Sequence, residues 1–178
     1  NGLRIKVVPK RGFARSYAFF ATDYGSMDTR FRLDGKDYVS PDGVAHYLEH
    51  KMFDMPDGNA LQKMSQTGAS PNAFTSYNIT AYHFSCTSMF EENFRTLLRF
   101  VSQGYFTQES VEKERGIIAQ EIKMYADNPA SRVDENLFCA MYRNHPVRVP
   151  VAGTVESIQD ITAQTLIDCH RAFYDPSN

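Results

Sequence analysis

The sequence has no tryptophan, only three cysteines and only five histidines among 178 residues. Cys86, Cys139 and Cys169 are too few and too scattered for a disulfide framework or a zinc knuckle, and they read as reduced, buried thiols. No apolar run approaches the ~20 residues that a membrane-spanning helix needs, and no signal-like segment opens the chain. Lys and Arg number 19 against 21 Asp and Glu, a net charge of −2. That balance gives no electrostatic footing for nucleic acid or an anionic membrane. Few cysteines and no export signal make the cytoplasm the expected location. The remaining composition, 42% hydrophobic, suits one compact domain over residues 1–178 with a sizeable core.

Two of the five histidines fall within one pentad, His46-Tyr47-Leu48-Glu49-His50. On a helix, positions i and i+4 lie one above the other, so both imidazoles can reach one metal ion. The order H-x-x-E-H reverses the commoner H-E-x-x-H and is the inverzincin signature of metal peptidases. Val44, Leu48, Met52 and Phe53 form a stripe that would bury against a core and anchor the helix. The plainer reading is a pair of packed or surface histidines; the scarcity of histidine elsewhere argues against it.

A catalytic zinc site takes three protein ligands and keeps a fourth position open. The third candidate lies in Glu109–Tyr125, where Ile117, Ile118, Ile122 and Tyr125 suggest an apolar stripe. Glu114 and Glu121 are seven residues apart, two turns, so their carboxylates point the same way about 10 Å apart. One of them can reach a metal; the other supports the site or is a solvated glutamate. Spacing alone does not choose between them.

Gly68–Ser88 reads as a hairpin, with a first arm over residues 71–76, a turn at Tyr77-Asn78 and a second arm over 80–86. Tyr82, Phe84 and Cys86 alternate with Ala81, His83 and Ser85, as in a half-buried strand. Earlier strands are expected at 3–8 and 14–24, with Tyr17, Phe19 and Ala21 facing the core, and 30–41 as a loop or small excursion. Further helices are expected near 59–67, 90–103, 109–126, 131–143 and 162–174, with Asp127-Asn128-Pro129 as a clean break. Phe90, Phe94, Leu97, Leu98 and Val101 have the spacing of a buried helix face. Arg30, Arg32 and Arg148 read as solvated charges, and His83, His145 and His170 have no partner at ligand spacing. The pattern predicts an α+β fold: a largely antiparallel β-sheet with helices packed on one face.

Five segments carry a family resemblance in order: DGVAHYLEHKMF, GASPNAFTSYNITAYHFS, EKERGIIAQEIKMYADNP, HPVRVPVAGTVESIQDIT and FYDPSN. From about residue 41 to the last residue, the chain resembles the N-terminal part of the pitrilysin/insulysin family of zinc peptidases, which includes mitochondrial processing peptidase. The HYLEHKMF and NAFTSYNITAY forms are most similar to the insulinase-like proteins of Gram-positive bacteria. The resemblance implies the pitrilysin-type α+β fold and one Zn2+ per domain held by His46, His50 and Glu121. It implies Glu49 as the general base that works on a metal-activated water, with Glu114 as the supporting carboxylate. It also implies that the arm with Asn72, Ala73 and Phe74 is an edge strand receiving the backbone of a peptide substrate, a mode tolerant of sequence.

Family members carry two or more related domains, and this chain covers most of one, the N-terminal catalytic domain. The resemblance implies a second homologous domain or subunit that closes over the zinc and supplies an arginine and a tyrosine. The expectation is a zinc-dependent endopeptidase domain for short or unfolded peptides, weakly active or inactive in isolation. Two alternatives are a non-catalytic, peptide-binding subunit of a processing-peptidase-like complex and a structural metal domain. The intact Glu49 argues against the first, and the lack of a fourth ligand against the second.

Overall fold

A computed structural model describes residues 1–178. Strand β1 (Ser16–Thr22) is followed by a hairpin, β2 (Arg30–Leu33) and β3 (Lys36–Val39). Helix α1 (Val44–Lys51) carries the pentad; two short strands, β4 (Asp54–Met55) and β5 (Gly58–Asn59), then lead into α2 (Ala60–Gln66). Strands β6 (Ser70–Thr75) and β7 (Thr80–Cys86) precede α3 (Phe90–Ser102), α4 (Gln108–Ala126), α5 (Pro129–Met141) and α6 (Ala163–Phe173). The main sheet is antiparallel in the order β1-β7-β6, which leaves β6 at an edge. This is the expected α+β arrangement.

Strand alternation sets the core. Tyr82, Phe84 and Cys86 of β7 are buried on the helix side, against Leu48, Met52, Met64, Leu97 and Ile118. The expected stripe Val44, Leu48, Met52 and Phe53 is buried throughout. On β1 the assignment of faces is reversed from expectation. Tyr17 and Phe19 are 58% and 49% exposed, and Ala18 and Thr22 turn inward instead. Tyr17, Phe19, Phe74 and His83 gather on the outer face, with Phe19 and Phe74 centroids 6.2 Å apart.

Residues 3–8 form no strand, and Ile5, Val7 and Val8 are exposed. A strand needs a ladder partner, and none of the seven strands pairs with this segment. Residues 30–39 form a true hairpin, turning at Asp34 and Gly35, both with positive φ as a two-residue turn requires. In α3, Leu97 and Val101 are core, but Phe90, the first residue of the helix, remains partly exposed, its ring against Phe84 with centroids 5.6 Å apart. In α4, Val111 and Ile118 are buried while Ile117 and Tyr125 are exposed. Cys86 and Cys169 are buried as expected; Cys139 is exposed on α5, a helix with no buried residue. Arg148 is not free in solvent, since it donates to the carbonyls of Tyr142 and Arg143. No helix is long and apolar enough to cross a membrane.

Gly43 and Gly153 fix where α1 begins. Both have positive φ, and a Cβ on Gly43 would overlap the Ala152 carbonyl while one on Gly153 would meet the Asp42 carbonyl. The loop around 152–153 thus seats directly against the first residue of the pentad helix. Helix α4 starts at Thr107, whose hydroxyl accepts the Ser110 amide at 3.2 Å. Its first turn is bound to α1 by the Tyr47 hydroxyl, which donates to the Val111 carbonyl. Burial pushes the Tyr47 phenol up to about 12, so it remains a donor across the accessible pH range.

Candidate metal centre

The crossing of α1 and α4 builds the site. Val111, Glu114, Ile118 and Glu121 fall on one helical face, so burying Val111 and Ile118 aims both carboxylates at α1. His46, His50 and Glu121 come together with one donor atom each, all within 4.8 Å of one another. Glu121 Oε1 is 3.6 Å from His46 Nε2, and Oε2 is 3.3 Å from His50 Nε2. Ligands about 2.05 Å from a tetrahedral zinc ion stand about 3.3 Å apart, close to the separation of each imidazole nitrogen from the carboxylate. This is the only cluster of three or more such groups in the chain. A set of three leaves the fourth position open, the catalytic rather than the structural pattern.

Glu114 does not join that set. Its Oε1 lies 3.0 Å from His50 Nδ1, the ring nitrogen away from Glu121. A carboxylate there holds the Nδ1–H tautomer and leaves Nε2 free to ligate. Nδ1 of His46 is buried without a hydrogen-bond partner, so the two histidines are unequally supported. Glu49 is buried beside the cluster, and its Oε2 accepts from the Thr75 hydroxyl at 2.7 Å.

Charge follows from these contacts. The Glu121 carboxyl is held down to about 2 chiefly by its contact with the His46 imidazole, with the charges of both histidines and a bond from the Tyr125 hydroxyl at 3.1 Å adding to it against burial. Glu114 is also lowered, chiefly through His50 and then Lys51. Burial pushes the His50 imidazole down, but Glu114, Glu121 and Glu49 outweigh it and its pKa is raised.

The cluster lies on the floor of a cleft of about 620 Å³. Its lining includes Ala73, Phe74 and Thr75 of β6, together with Tyr125 and Glu135. Because Ser76 N–H bonds the Ile79 carbonyl, ladder parity points the amide groups of Pro71, Ala73 and Thr75 at the free edge of β6. Pro71 has no amide hydrogen and is tolerated there for that reason. The Ala73 N–H is taken by the Asn72 side chain at 2.9 Å. His83, His145 and His170 all lie outside the cluster.

Sequence reasoning missed Thr75, Lys51 and Tyr125. Thr75 shares strand parity with Ala73, which would have placed it on the helix side with Glu49. Lys51 directly follows the pentad, a spacing that announces no contact, whereas Tyr125 stands at the i+4 position from Glu121, from which it reaches that carboxylate.

The fold and the cluster define an α+β domain whose pentad helix carries its two histidines in the inverted H-x-x-E-H order. The profile of "Insulinase (Peptidase family M16)" matches residues 35–155, and the chain belongs to that family. It is 53% identical over 180 residues to the uncharacterized zinc protease YmfH of Bacillus subtilis (strain 168), covering 100% of this chain and 42% of that protein. The crystal structure of a putative M16-like peptidase from Alicyclobacillus acidocaldarius superposes with a TM-score of 0.96 at 48% identity, over 100% of this chain and 42% of that one. Pitrilysin matches at a TM-score of 0.76 and 19% identity, covering 93% of this chain and 18% of its own, a likeness of fold. The chain thus spans less than half the length of these relatives.

Proposed function

We propose that this chain is the zinc-holding domain of an M16 endopeptidase that hydrolyses short or unfolded peptides. The observation that carries this reading is the convergence of His46, His50 and Glu121 at zinc-ligand spacing with one position open. When bound, zinc supplies a Lewis acid that polarises the scissile carbonyl and acidifies water. Glu49 takes the proton of the attacking water and passes it to the leaving amine. Thr75 holds one Glu49 oxygen, which leaves the other for that transfer. Glu114 keeps His50 in the ligating tautomer. The stretch of β6 holding Asn72, Ala73 and Phe74 receives the substrate backbone, with Ala73 presenting its main-chain groups at the free edge, where strand addition draws on main-chain bonds.

Full activity belongs to a longer assembly in which a second homologous domain or subunit closes over the cleft, and the 178-residue chain alone binds zinc with weak or no turnover. The non-catalytic alternative has no observation in its favour, since the buried, hydroxyl-anchored Glu49 is the base such a subunit would not need.

Elemental analysis of the purified chain tests the reading. Near-stoichiometric zinc is expected, lost with Glu121→Gln and retained with Glu114→Gln when zinc is in excess. A folded, unchelated chain that binds no zinc refutes it.

A further inference from the structure

Lys51 follows the second histidine, and its side chain is 4% exposed. A buried ammonium is costly unless it is paired, a cost that an apolar side chain of similar length would avoid. Methionine or leucine would fill the same space at less cost, so volume alone does not account for a charge here. Its contacts point to another use. Nζ lies 2.5 Å from Asp54 Oδ2 and 3.7 Å from Glu114 Oε2. The other oxygen of Glu114 is the one 3.0 Å from His50 Nδ1.

Four side chains therefore form one line, Asp54–Lys51–Glu114–His50, that ends on the ring facing Glu121. Asp54 anchors the ammonium from the i+3 position, and the ammonium lies against one oxygen of Glu114. A carboxylate held only by its contact with His50 can still rotate about its terminal bond. With a cation on Oε2, the orientation that presents Oε1 to the imidazole is fixed.

We propose that Lys51 is a positioning residue of the metal centre: it clamps Glu114 so that this carboxylate holds His50 with Nδ1 protonated and Nε2 directed at zinc. The proposal rests on reading His46, His50 and Glu121 as zinc ligands. Two effects of Lys51 oppose each other. Its positive charge repels a dication, whereas its hold on Glu114 orders a ligand. Outer partners of metal-bound histidines are worth about 10–100-fold in metal affinity, and the second effect dominates in this line of contacts.

The test is zinc affinity by chelator competition for the unmodified chain, Lys51→Met and Glu114→Gln, with imidazole N–H resonances followed by NMR on the zinc-loaded proteins. Lys51→Met is expected to weaken zinc binding about 10–100-fold, in step with Glu114→Gln. It is also expected to remove the slowly exchanging His50 Nδ1–H signal, which a purely space-filling residue would leave in place. Thermal unfolding of the metal-free proteins checks the fold, and Lys51→Gln, of similar length and neutral, takes the place of Lys51→Met if the latter does not fold. Unchanged or tighter zinc binding with the signal intact overturns the role of Lys51 and leaves the ligand assignment standing. No zinc on the unmodified chain removes that assignment, and the role of Lys51 with it.

Discussion

The Thr75 hydroxyl donates to Glu49 Oε2 over 2.7 Å, tying the edge strand β6 to the helix that carries both histidines. One contact therefore couples the proposed substrate strand to the proposed base. Thr75→Val keeps the shape and removes the hydrogen bond, which for a charged acceptor is worth about 1.5–3 kcal/mol. Hydrolysis of an unstructured peptide by zinc-loaded protein carrying this domain should fall about 10-fold or more, with zinc content unchanged. Thr75→Ser should restore most of the rate. A Val variant as fast as the parent would show that Glu49 needs no such anchor.

Much of this site was legible before any coordinates because helical periodicity is local. The pentad places two imidazoles on one face, and the seven-residue spacing of Glu114 and Glu121 places two carboxylates on another. The choice between those carboxylates came from family resemblance, since it depends on how far along α4 the crossing with α1 falls. The hairpin β6–β7 was equally readable from alternation and its turn. Alternation on β1 showed that two faces differ but not which one is inside. Ala18, Phe20 and Thr22 face the helices, while Tyr17 and Phe19, aromatic as well, gather outside. Leu3, Ile5 and Val7 alternate as a strand would but find no ladder, and pairing is a property of the whole sheet. Thr75 to Glu49 and Lys51 to Glu114 join residues distant in sequence, and no local pattern encodes them.

The two faces of the sheet should differ in what they contribute to stability. Phe84 is fully buried within the core cluster, and Phe84→Ala should cost about 3–5 kcal/mol in chemical denaturation. Phe19 is half exposed on the outer face, and Phe19→Ala should cost about 1 kcal/mol or less. Equal costs would mean that the outer face is covered and load is shared between both sides.

Zinc affinity should depend on pH through His50. Glu121, held down to about 2, and Glu114, also lowered, contribute stability to the metal-free fold above the ordinary carboxylate value of 4.5. That contribution is lost as pH falls from there toward the lowered values. His50 has the opposite sign. Its pKa is raised above 6.5, so its contribution is present below that value and is lost as pH rises through the raised one. Zinc takes the neutral ring, so binding displaces this proton and affinity should climb with pH through the neutral range. Glu114→Gln removes a contact that raises His50, and the midpoint of the climb should move to lower pH. Chelator competition between about pH 6 and pH 8 reads both effects; an affinity flat over that window contradicts the assignment.

Peptide capture along β6 has a specific chemical requirement. Parity leaves the Ala73 N–H at the free edge, outside the β6–β7 ladder, where it bonds only the Asn72 side chain. A substrate carbonyl can take that donor by displacing Asn72 at the cost of one exposed hydrogen bond. Ala73→Pro deletes the donor without breaking a ladder bond, and proline is compatible with an edge strand, as Pro71 two residues earlier already is. The zinc site and the unfolding transition should therefore stay close to those of the parent chain. Binding of an unstructured peptide to the zinc-loaded Glu49→Gln protein, which cannot consume it, should weaken about 5- to 10-fold, the worth of one main-chain hydrogen bond. Asn72→Ala frees the same donor and should leave binding equal or slightly tighter. Opposite results for the pair, with proline harmless and alanine damaging, would mean that the Asn72 side chain rather than the strand backbone holds the peptide.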